Sequence, residues 1–134
     1  MVGKKAETGT QAAPRNYPKG LLNAAIVLAA ISGILHVYVG YVIEGLENGS
    51  VLILIALVYF VGAALVAANY KRDLWLKVGP AWVALVIFLW ALVAAENVGS
   101  TRDPVAYLIK ADEVVLLGVL FQVRRVIRRP RTAS

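Results

Sequence analysis

Chemistry in this chain would have to come from very few side chains. Its 134 residues include one histidine, His36, one methionine and no cysteine. The missing thiols exclude disulfides, thiolate nucleophiles, Cys-ligated zinc and iron–sulfur clusters. The ionisable residues able to meet His36 are Lys110, Asp112 and Glu113, which interrupt the last apolar stretch. An imidazole beside carboxylates in an apolar setting can shuttle protons or bind a small polar molecule. The same groups can instead fix helix register, with His36 hydrogen-bonded to Asp112 and Lys110 paired with Glu113 three residues on. The second reading is the one we favour, because Lys110 and Asp112 lie about 200° apart on a helix and cannot share a partner. A haem held by two histidines would need a second chain, and His36 with Asp112 and Glu113 does not follow the spacing of a metal-ligand motif. No cofactor is therefore expected.

Four helices must position these residues. Hydrophobic side chains make up 60% of the chain and charged ones 16%, against roughly 45–50% and about 25% in ordinary soluble domains. A water-soluble domain of this length buries only about two-thirds of its unfolded surface, so the excess points to lipid. The apolar runs lie at 21–43, 51–70 and 78–95, each long enough to cross a bilayer, with the second stopped by Lys71-Arg72-Asp73. A fourth at 104–123 has two readings. In the first, which we favour, one helix starts at Pro104 and carries the three charges inward. In the second it starts near Ala111 and uses Asp112 and Glu113 as anions at its N-terminus. Glu44 to Ser50 reads as a turn, with a glycosylation sequon at Asn48-Gly49-Ser50, and Gly79-Pro80 as the start of the third span. The expected fold is thus an all-α, four-helix membrane bundle over 21–127, between a mobile basic tail (1–20) and a second basic tail (128–134).

Orientation follows from the cations. Twelve of the fourteen Lys and Arg residues fall in the N-terminal tail, in Lys71 to Lys77 and in Arg124 to Arg131, leaving Arg102 and Lys110 for the other side. This positive-inside pattern places both termini in the cytoplasm of a multi-pass protein of the cell membrane. It also explains the formal net charge of +6 without nucleic acid: Lys71, Arg72, Arg124, Arg125, Arg128 and Arg129 are set to meet anionic lipid headgroups. On the first helix Ala25, Ala29, Gly33, His36 and Gly40 share one face, a small-residue stripe that lets a neighbour approach. Counted at about 1.5 Å per residue, His36, Lys110 and Asp112 fall at similar depths, with Tyr41 and Trp90 nearby. The candidate polar cluster is therefore His36, Tyr41, Trp90, Lys110, Asp112 and Glu113.

Two segments, Gly33-Ile34-Leu35-His36-Val37-Tyr38-Val39-Gly40 and Tyr70-Lys71-Arg72 leading through Trp75 to Gly79-Pro80, together with a fourth helix opening on a charged doublet, resemble small four-helix archaeal membrane proteins of unknown function. In layout alone the chain is also similar to DoxX-type membrane proteins, some of which are linked to quinone oxidoreductases. That likeness carries over no catalytic residue. Short loops and packing faces suit a non-catalytic accessory or assembly subunit of a larger complex, or a homo-oligomer. The alternatives are a proton-coupled carrier using the outer polar pocket and a quinone- or haem-associated redox subunit.

Overall fold

The computed structural model describes residues 17–96 and 103–129 and is helical throughout. The helices are α1 (Lys19–Tyr38), α2 (Gly45–Ala67), α3 (Arg72–Ala95) and α4 (Pro104–Arg128), with a π-helical segment, Val39–Ile43, prolonging α1. The first three are long and apolar enough to cross a membrane. The expected tails lie mostly outside the described residues, as do Arg102 and Arg131.

Each helix buries one narrow stripe. On α4 the buried positions are Ala106, Ile109, Glu113, Leu116, Leu120 and Val123, an alternation of three and four that keeps one seam turned to its neighbours. The same alternation puts Ala56, Tyr59, Ala63 and Val66 inside on α2, and steps of four, three and three put Leu76, Pro80, Val83 and Val86 inside on α3. Helix α1 packs along both α2 and α4, while α3 leans on α4 and more lightly on α2. The core joins Leu22, Ala25, Tyr59, Leu76, Leu116 and Val123. Outside the seams the helices remain apolar, and Ile34, Val42, Leu46, Val51 and Leu54 are each 60% exposed or more.

Sequence chemistry explains the ends. Asp103 caps α4 by accepting the Val105 amide at 2.9 Å, and Pro104 occupies the first turn, where its missing N–H costs nothing. The helix is continuous from Pro104, as the favoured reading expects, and runs on to Arg128 rather than stopping at residue 123.

Two expected boundaries are corrected. Glu44 to Ser50 is not a turn: only Glu44 separates the π-helical segment from α2, Gly45 opens α2 at φ +76°, and Asn48-Gly49-Ser50 lies inside it. Gly40 and Gly49 explain how the connection can be so short. A Cβ on Gly49 would stand 1.8 Å from the Gly40 carbonyl oxygen, so the two backbones touch where any side chain would part them. Likewise Gly79-Pro80 does not begin α3. The helix begins at Arg72, after Asn69 and Lys71 turn the chain in left-handed conformations, and Pro80 sits buried within it. Proline there removes the amide that would have bonded the Leu76 carbonyl and sets its ring against that carbonyl, yet the helix continues through it.

Candidate functional site

The α4 seam carries a carboxylate into the middle of the bundle. Glu113 is completely buried, and a carboxylate so placed needs partners for both oxygens. It has them. Tyr59 of α2 donates its hydroxyl to Oε1 at 2.8 Å, and Lys110, one turn back on α4, donates to Oε2. The Lys110 ammonium also lies 5.8 Å from the Trp90 ring centroid, over its face, so α3 joins through a cation–π contact. Tyr107 meets the same ring edge-on at 5.8 Å.

His36 approaches from α1. Its Nδ1 is 2.8 Å from the Ser32 carbonyl, which can only accept, so Nδ1 carries the hydrogen and Nε2 holds the lone pair of the neutral ring. Nε2 faces Glu113 Oε1 at 3.5 Å, and the ring stacks on Tyr59 with centroids 5.5 Å apart. A lone pair opposite a carboxylate oxygen leaves a place for one more proton between them. Beside this group, Ser32 donates its hydroxyl to Asp112.

The structure thus brings together His36, Glu113, Lys110 and Trp90 of the expected cluster, with Asp112 at its flank. Tyr41 stands apart, 60% exposed on the π-helical segment. The expected partner of His36 is also exchanged: Glu113, on the buried seam, faces the imidazole, whereas Asp112, one residue to the side, turns to Ser32. The Lys110–Glu113 pair is as expected. Ser32 and Tyr59 are missing from the expected cluster, though each had a signal. Ser32 precedes His36 by one helical turn, and Tyr59 belongs to the three-and-four alternation of α2.

Among the expected lipid-facing cations, Arg72 is largely occupied within the fold. Its Nε donates to the Val66 carbonyl at 2.9 Å, closing the end of α2, and its guanidinium covers the Tyr17 ring at 5.0 Å. Lys71 is exposed beside Tyr70. Arg124, Arg125, Arg128 and Arg129 border a hollow at the end of α4.

Among the described residues no group of three or more His, Cys, Asp and Glu side chains is arranged to hold a metal ion. Comparisons with protein-family models, curated proteins and solved structures gave no match.

Proposed function

We propose that this chain is a multi-pass protein of the cell membrane, with both ends on the cytosolic side, serving as a non-catalytic accessory or assembly subunit of a larger membrane complex. The closure of the buried cluster carries this reading. Both Glu113 oxygens are taken by Tyr59 and Lys110, and Asp112 takes Ser32. Charges consumed in this way tie α1, α2 and α4 into one register instead of presenting a reactive group. The lightly packed α3 supports the same view, since Leu85, Phe88, Leu89, Leu92 and Val93 all remain exposed on it and offer a face to lipid or to a partner helix. Affinity purification from gently solubilised membranes should recover stoichiometric partners. A chain that migrated alone at every detergent concentration would overturn the subunit reading. Sidedness is tested separately, because the sequence has no cysteine: Asn48→Cys should react with an impermeant maleimide outside intact cells and Asp73→Cys should not.

A second reading rests on a different feature of the same cluster. His36, Glu113, Lys110 and Tyr59 can each give or take a proton and follow one another in contact, which suits a proton-coupled carrier. Vesicles containing the protein would then show pH-driven flux that His36→Ala and Glu113→Gln abolish. Absence of flux removes this reading and leaves the first intact.

A further inference from the structure

Three hollows adjoin one another at the basic end of the bundle. The innermost, about 100 Å3, is almost wholly apolar and is walled by Gly62, Ala63, Trp75, Gly79, Trp82 and Leu120, with others. It exists because side chains are missing: a Cβ on Gly62 would meet nothing nearer than Trp75 at 3.9 Å, and one on Gly79 nothing nearer than Leu120 at 3.5 Å. Leu76 is its shared wall with a small cleft lined by Asp73, Lys77, Arg124, Ile127 and Arg128. That cleft shares Arg124 and Arg128 with an open hollow bounded by Phe121, Arg125 and Arg129. Along this track the lining changes from hydrocarbon to cations in two turns of α4, from Leu120 through Arg124 to Arg128, roughly 6 Å of rise per step.

Its charge is one-sided. Among the described residues the two basic hollows are lined by four arginines and Lys77 against one carboxylate, Asp73, which already accepts the Tyr17 hydroxyl. Among the described residues no salt bridge joins Arg124, Arg125, Arg128 or Arg129 to an acid. Guanidinium groups crowded at one helix end match the oxygens of a phosphate. The innermost hollow has an almost wholly apolar lining, which suits part of a hydrocarbon chain.

We propose that this track binds one anionic phospholipid of the cytosolic leaflet, its phosphate among Arg124, Arg128 and Lys77 and part of one acyl chain in the hollow between Gly62, Gly79 and Leu120. This inference rests on the membrane reading above and adds a defined site to it. The glycines keep the chain's place open, and the arginines select the headgroup. Scattered basic anchors would hold any anionic surface equally well, whereas a built site couples the headgroup to a chain beside two tryptophans.

That coupling supplies the test. The full chain carrying Trp90→Phe, which leaves Trp75 and Trp82 as reporters, is reconstituted in neutral phosphatidylcholine vesicles containing a small fraction of chain-brominated lipid. Brominated phosphatidylglycerol should reach half-maximal quenching at a roughly hundredfold lower mole fraction than brominated phosphatidylcholine, as about 1 kcal/mol for each of the three engaged cations implies. Arg124→Gln with Arg128→Gln should abolish the preference. Gly62→Leu should reduce the quenching while leaving the protein in the vesicles. Equal quenching by the two lipids would overturn the proposal, and so would a preference that the arginine pair does not alter or that inorganic phosphate at low millimolar concentration abolishes. A protein that neither floats with vesicles nor is quenched by any lipid would instead overturn the membrane reading itself.

Discussion

The two halves of the bundle are held together by opposite means. Near the α1–α2 connection, backbones touch at Gly40 and Gly49, and a buried carboxylate, an ammonium, an imidazole and a phenol complete one another. Near the α2–α3 turn, contact is apolar and loose enough to leave a hollow beside Trp75 and Trp82. Tyr59 belongs to both, its ring against the hollow and its hydroxyl on Glu113. Polar contacts are directional and fail if a helix slides by one residue, whereas apolar contacts have no preferred direction. The contrast teaches that register is set in one half and adaptability is kept in the other.

Substitutions can break this contrast, and the largest effect should come from Glu113. Glu113→Ala leaves the half-buried Lys110 without its counter-charge and the buried Tyr59 hydroxyl without its acceptor, and should cost about 3–5 kcal/mol, read as a lowered unfolding midpoint in detergent. Glu113→Gln, which can still accept from Tyr59, should cost less. Next comes Tyr59→Phe, which removes a hydrogen bond to a charged group and should cost about 1.5–3 kcal/mol. If its cost added fully to that of Glu113→Ala in the double variant, the two groups would not be coupled and the network account would fail. Gly49→Ala forces a methyl against the Gly40 carbonyl and should cost about 1–3 kcal/mol as overpacking. The smallest effect has the opposite sign: Gly62→Ala places its methyl within α2 in ordinary contact with Trp75, without a clash, and should stabilise by about 0.5–1 kcal/mol. A loss at Gly62 equal to that at Gly49 would erase the distinction between the halves.

The three long apolar runs were legible in composition, and the start of α4 in Asp103-Pro104, because these signals are local. The helix starts at Gly45 and Arg72 were not. Gly, Asn, Ser and Pro read as breakers in isolation, yet close backbone contact can require a glycine inside a helix, and one proline forfeits a single amide bond. The cluster was legible to the level of its depth. Choosing Glu113 over Asp112 as the partner of His36 demands the rotation of α4 to within one residue, which the seam from Ala106 to Val123 determines and charge alone does not. Ser32 and Tyr59 carry no formal charge, so a search for ionisable residues passes over them. Tyr41 was included by depth alone, a criterion blind to which side of the helix a residue occupies.

The charged α4 has a consequence for biogenesis. Alone among the four helices it lacks the apolar length to cross a membrane, and its half-buried Lys110 and buried Glu113 are met across helices by Tyr59, His36 and Trp90. All three of those groups precede it in the chain, so synthesis delivers the receptor before the ligand. The bundle can therefore be completed by capture: α1, α2 and α3 offer a socket for Lys110 and Glu113 before α4 is made.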